Sequence, residues 1–188
     1  MKKPILFFLM AVASASMLLL QPSCDKVKDL AKFDVKMDLP AQNFNIEKPA
    51  AKAGLASVDQ YYDFSVSVNL DSIQEKHNLS SFGVENGKIT KALVSITAPA
   101  GANLAFLISA RLVLFNESNQ EMQVAHTGTI SPDATQVELI LDAQDIASLI
   151  KMKNFNGRLY YTFDPELMPA QTVAMQLVET VQFTVTPL

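Results

Sequence analysis

The residues of this 188-residue chain with chemistry to offer are two histidines, one cysteine, two tyrosine pairs and two close carboxylate pairs. His77 and His126 each lack a second His or Cys at ligand spacing. A metal centre needs three or four converging ligands, so none is expected. Asp71 and Glu75 stand at i, i+4, and Asp142 and Asp145 at i, i+3. Either pair would share a helix face, and such faces are ordinarily solvated. A glycosidase needs its two carboxylates across a cleft. No calcium loop, nucleophile elbow, phosphate loop or dinucleotide fingerprint occurs. No catalytic, metal-ligating or cofactor-binding residue is therefore assigned, and the chain reads as a non-enzyme without a cofactor. The tyrosines are more informative, because all four come as Tyr61-Tyr62 and Tyr160-Tyr161. Neighbours on a strand point to opposite faces. If Tyr62 and Tyr161 are core, Tyr61 and Tyr160 face outward as an amphipathic patch suited to a sugar or a protein partner. The competing reading packs each ring beneath a loop. The absence of Trp weighs against the sugar.

These side chains must be positioned by strands. Apolar residues alternate with polar ones over residues 33–39, 62–70, 89–98, 137–141, 159–163 and 171–186, with weaker runs at 44–46 and 122–124. Period 2 is the mark of half-buried strands. Residues 111–115 are apolar on both faces apart from Arg111, which predicts a central strand covered on both sides or paired at an interface. Residues 50–59 read as an Ala-rich loop. A short helix is expected from Asp71, with Asn69 or Asp71 as N-cap, and another after a cap at Asp142. Turns are expected at Glu85-Asn86-Gly87 and near Asn154 and Gly157, and a bulge near Val178, where Glu179 falls in phase with apolar positions. Helices do not alternate with strands as a parallel sheet requires. The fold class is therefore all-β: an antiparallel β-sandwich, immunoglobulin-like or related, with one or two short connecting helices. A closed barrel is the main competitor.

Ahead of these strands, Lys2 and Lys3 precede an apolar run, residues 5–20, that ends in Leu20-Gln21-Pro22-Ser23-Cys24. A charged start, an apolar stretch and a small residue before the cut fit an export signal. Two alternatives stay open. Residues 4–23 are uncharged and long enough to span a bilayer, although Gln21-Pro22-Ser23 is polar and helix-breaking. An ordinary signal cut elsewhere, such as after Ala15, would leave Cys24 as a free thiol. The segment resembles the signal of bacterial lipoproteins in the relaxed form found in Bacteroidota. Ser23 fits the position before the cysteine, while Gln21 at −3 and Leu20 at −4 depart from the strict pattern. The strand pattern that follows is also similar to small sandwich domains of Bacteroidota lipoproteins. The resemblance implies lipid on Cys24, which would become the mature N-terminus, and two or more acyl chains anchor stably. Residues 1–23 are then a signal peptide, 24–32 a lipidated tether and 33–188 the sandwich domain. The expected location is the cell envelope, most readily the outer membrane. No acidic run follows Cys24 to mark the outer face.

Removing residues 1–23 leaves 165 residues and takes the basic count from 15 to 13, against 19 acids, for a net charge of −6. That length carries one domain with a real core. The negative balance argues against nucleic acid, whose phosphates need basic patches. A single cysteine excludes an internal disulfide. The functional expectation is a non-catalytic, membrane-anchored envelope lipoprotein that binds a protein or serves as an accessory module. The alternative is a surface glycan-binding module using Tyr61 and Tyr160.

Overall fold

The computed structural model describes residues 32–49 and 57–188. Cys24 and the expected signal peptide lie outside the described residues. Alternating apolar residues build ten strands among the described residues, in two antiparallel sheets. In chain order the elements are β1 (Phe33–Asp38), β2 (Gln42–Glu47), β3 (Val58–Ser67), helix α1 (Asp71–Lys76), β4 (Phe82–Ala98), β5 (Leu107–Phe115), β6 (Glu121–His126), β7 (Gln136–Glu138), β8 (Ile140–Leu141), helix α2 (Ala147–Lys151), β9 (Asn154–Phe163) and β10 (Thr172–Pro187). Single 3-10 turns cover Leu104–Phe106 and Pro165–Leu167. No helix among the described residues is long and apolar enough to cross a membrane.

Sheet A is organised on β10. One flank of β10 pairs with β2 and then β1, laid end to end, and the other flank pairs with β4, beyond which lies β7. Pro40, which has no N–H to give, sits where β1 gives way to β2. Sheet B has the order β3-β9-β5-β6-β8. The inner rows of the two sheets form one core that includes Ile46, Phe183 and Met175 of sheet A and Leu112, Leu159 and Phe163 of sheet B, all fully buried. Each such side chain contributes about 1.5–3 kcal/mol by leaving water. Phe44 of β2 stacks on Tyr62 of β3 at 5.0 Å and lies 5.8 Å from Tyr161 of β9, so these rings join the sheets. The fold is an all-β antiparallel sandwich, with two short helices among the described residues.

Several boundaries differ from the sequence reading. The turn expected at Glu85-Asn86-Gly87 lies inside β4. The chain absorbs it there as a pairing irregularity, with Asn86 at φ 53°. Gly87 is needed for close approach: a Cβ would meet the Ala147 backbone at 2.6 Å, and the Gly87 carbonyl accepts from Ile146 N at 2.8 Å. Asn154 and Gly157 do not punctuate either. They belong to β9, where Gly157 faces the core and leaves room for the Phe64 ring of the paired strand. The run 137–141 divides at buried Leu139: β7 pairs with β4 in sheet A and β8 with β6 in sheet B, so the chain changes sheets there. The strand β3 starts at Val58, within the expected loop. At α1, Asn69 Oδ1 accepts from Ser72 N at 3.1 Å. At α2, Asp145 rather than Asp142 takes the free N–H, from Ala147 at 2.9 Å.

The irregularity expected near Val178 falls two residues further on, between Thr180 and Val181, and its extra residue, Thr90, belongs to β4 rather than β10. Pairing with β4 runs regularly from Met175 through Thr180, Glu179 included. Alternation therefore carries the Glu179 side chain inward, between Leu177 and Val181 and opposite Ala92. Glu179 is 1% exposed, and neither carboxylate oxygen has a hydrogen-bond partner. Burial pushes its carboxyl from the usual 4.5 up to about 8.

Candidate functional site

The outer face of sheet B carries the tyrosines singled out in the sequence. On β3 the outward row is Asp59, Tyr61, Asp63, Ser65 and Ser67, all exposed. On β9 it includes Asn156, Arg158, Tyr160 and Thr162, and on β5 Arg111, Val113 and Phe115. Antiparallel register places Tyr61 directly opposite Tyr160, Asp63 opposite Arg158, and Arg111 opposite Tyr160. The inner partners are as expected: Tyr161 is buried, with its hydroxyl donating to Gln60 Oε1 at 3.2 Å, and Tyr62 is half-buried. Burial raises the Tyr161 hydroxyl above its ordinary pKa.

Tyr61 is 56% exposed, and its ring centroid lies 6.1 Å from that of Tyr160, with the planes inclined at 59°. The Arg158 guanidinium sits over the Tyr61 ring at 4.1 Å, and that of Arg111 over the Tyr160 ring at 4.3 Å. Arg158 also grips Asp63 with two parallel bonds, Nε to Oδ1 at 2.5 Å and Nη2 to Oδ2 at 3.0 Å. A forked pair of this kind fixes orientation as well as charge. The bonds it donates to Asp63, and then to Tyr160, hold the guanidinium further above its already high range. The Tyr160 hydroxyl accepts from Arg158 Nη1 at 3.2 Å and donates to Glu121, which in turn faces Arg111 at 3.5 Å. The result is a closed mesh of rings, guanidiniums and carboxylates spanning β3, β9, β5 and β6. Beneath it, Val113 is fully buried although it points outward, because it pairs between Arg158 and Gln123. Long polar side chains shelter apolar surface in this way. The two-sided apolar strand expected at 111–115 thus has its outer cover.

The mesh stands between two open hollows. One, of about 520 Å³, is lined by residues that include Gln42, Ser65, Phe115, Asn119 and Asn156. The other, of about 440 Å³, is bordered by Ser109, Arg111, His126, Tyr160 and Thr162.

Of the remaining sequence candidates, only His126 and Asp142 meet. His77 lies at the end of α1 against Phe33, ring to ring at 4.4 Å. His126 Nδ1 is 3.4 Å from the Asp142 carboxylate, which also accepts from Gln123 Nε2 at 2.9 Å. Asp71 pairs with Lys153 at 2.7 Å. Among the described residues, no group of three His, Cys, Asp or Glu side chains is arranged to hold a metal ion. The sequence reading missed Arg158, Asp63, Arg111 and Glu121. Two of these were within reach, because Arg158 and Asp63 lie two residues from Tyr160 and Tyr61 and so share their face. No protein-family model matches the chain, and no curated protein matches it.

Proposed function

We propose that the protein is a non-catalytic binding module of the bacterial cell envelope, held on the membrane, most readily the outer membrane, by lipid on Cys24, and that its sheet B face docks a protein. One observation carries the reading: Tyr61, Tyr160, Arg158 and Arg111 form a pre-organised cluster on an exposed sheet face. Tyrosine and arginine are the residue types that dominate binding energy at protein interfaces. Rings and guanidiniums already locked to one another lose little freedom when a partner covers them.

A glycan is the second reading, and the hollow lined by Gln42, Ser65, Asn119 and Asn156 beside Phe115 favours it. Neutral amides and hydroxyls around a ring suit a polyhydroxylated ligand. The tyrosines themselves favour the protein. A sugar platform needs open, near-coplanar rings, whereas these are inclined at 59° and each carries a guanidinium on a face.

The test is a photo-crosslinking residue at position 61 of the full chain in its native membrane, with the same residue at Lys88 of sheet A as control. The expected result is a discrete protein adduct from position 61 alone, lost when Arg158→Ala is added. Adducts of equal yield from both positions would refute the docking face. Retention on immobilised oligosaccharide, abolished by Asn156→Ala but not by Tyr61→Ala, would favour the glycan.

A further inference from the structure

The sandwich has four sheet edges, and three are blunted. The β8 edge has two residues and the β7 edge three. Beyond them, the flank of β4 is broken by the irregularity at Asn86–Gly87, where the Gly87 carbonyl accepts from Ile146 N, and the Val124 carbonyl of β6 accepts from Asp142 N. The β1–β2 edge is divided into two six-residue pieces with Pro40 between them. The fourth is β3, with ten residues, and among the described residues it pairs only with β9. Its register with β9 runs from Val58 to Ser67 without a shift, so no bulge bends it away. It contains no proline or lysine, no charge points inward along it, and its two outward charges, Asp59 and Asp63, are bonded to Thr162 and Arg158 of β9. Natural proteins protect exposed edges with such devices, because an open edge is a template for another strand. The inward residues at its start, Val58, Gln60 and Tyr62, are only half-buried, as if one more strand belonged beside them.

The sequence of β3 says which strand fits. In an antiparallel two-fold pairing, opposed residues must share a face, so the axis passes through a residue. Two registers pair the strand at greatest length. An axis through residue 63 sets Asp63 against its own copy, and like charges directly opposite are destabilising. An axis through Tyr62 avoids this. It sets Val58 against Val66 and Gln60 against Phe64 on the inner face. On the outer face it sets Asp59 against Ser65 and Tyr61 against Asp63. Inside, Val58 meets Val66, Tyr62 meets its own copy and the Gln60 stem lies against Phe64, while each outer carboxylate faces a hydroxyl. We infer that two copies of this chain join through their β3 edges, two-fold about Tyr62, continuing sheet B from one molecule into the next. Such an interface is isologous and closes at two subunits, so it makes a dimer rather than a fibre. It also places the two tyrosine–arginine meshes side by side on one continuous face.

Directly opposed antiparallel residues have Cα atoms about 4.5–5.5 Å apart, within disulfide reach. The experiment co-expresses two differently tagged full chains, one with Asp59→Cys and the other with Ser65→Cys, and oxidises the membranes mildly. Both sites point outward, so the core is left intact. The expected product is a mixed dimer carrying both tags, several-fold above that from wild-type chains or from Lys91→Cys on sheet A. Yields no higher than these controls would overturn the proposal. A self-crosslink of Tyr61→Cys exceeding the mixed 59–65 product would overturn the register and, with it, the axis through Tyr62.

Discussion

Replacing Glu179 with glutamine should stabilise the protein at neutral pH and leave its stability unchanged in acid. The wild-type side chain lies in the core with both oxygens unbonded, and its carboxyl is pushed from 4.5 to about 8. At pH 7 the unfolded chain has released this proton and the folded chain still holds it. Wherever the folded state binds more protons, stability falls as pH rises. The loss therefore begins near pH 4.5, grows through neutrality and levels off above about pH 8. At about 1.36 kcal/mol per pH unit, the penalty at pH 7 is about 3 kcal/mol relative to acid. Glutamine keeps the shape and a buried polar group but has no proton to lose. The wild-type and Glu179→Gln chains should therefore unfold alike near pH 4.5, and the variant should be about 3 kcal/mol more stable at pH 7. Leucine should add about 1–3 kcal/mol at every pH by removing the unsatisfied group. Urea unfolding of both chains at intervals from pH 4.5 to 8.5 reads the difference directly, and titrations elsewhere cancel between them. A difference that stays constant with pH would refute the reasoning, because Glu179 would then be charged, or neutral, in both states.

Gly157→Ala forces a Cβ against the Phe64 ring and within 3.0 Å of Leu114 Cδ2. It should cost about 1–3 kcal/mol, as overpacking does, and Phe64→Leu in the same chain should recover part of the loss in thermal unfolding. Cys24→Ala should move the chain from the membrane to the soluble fraction of lysed cells, and membrane retention of this variant would instead make residues 4–23 a span. Protease added to intact and to lysed cells reads the orientation, with cleavage in intact cells placing sheet B where external partners reach it.

The sandwich was legible because period 2 is written over most of the chain: Phe64, Val66, Leu112, Leu139, Phe163 and Phe183 are all core, as the alternation requires. The same parity argument turned Tyr61 and Tyr160 outward together. What escaped is what depends on a second strand. Gly157 looks like punctuation until Phe64 is seen to occupy the space above it. Gly87 looks like a turn until α2 packs on it. Glu179 suggests a bulge, because a carboxylate in an apolar row conflicts with burial, yet the ladder keeps its register through Glu179, shifts only past Thr180 on the β4 side, and buries the acid. The division at Leu139 cannot be read locally, since β7 and β8 alternate as one run and differ only in which sheet receives them. Of the mesh, the ring pair followed from parity, but the reach of Arg111 to Tyr160 requires knowing that β5 lies beside β9.

The position of β10 also fixes an order of events. The first strands of the domain, β1 and β2, have their sheet partner in the last, with Asp34 bonded to a residue 150 positions later. Such distant closures make folding slow. During synthesis, β1, β2 and β4 cannot be joined in sheet A until residues 172–187 have emerged. The N-terminal strands therefore lack their native sheet partner until nearly the whole chain has been made. A chain cut short before β10 would leave β1, β2 and the long flank of β4 exposed together, so incomplete copies should be removed by proteases rather than accumulate.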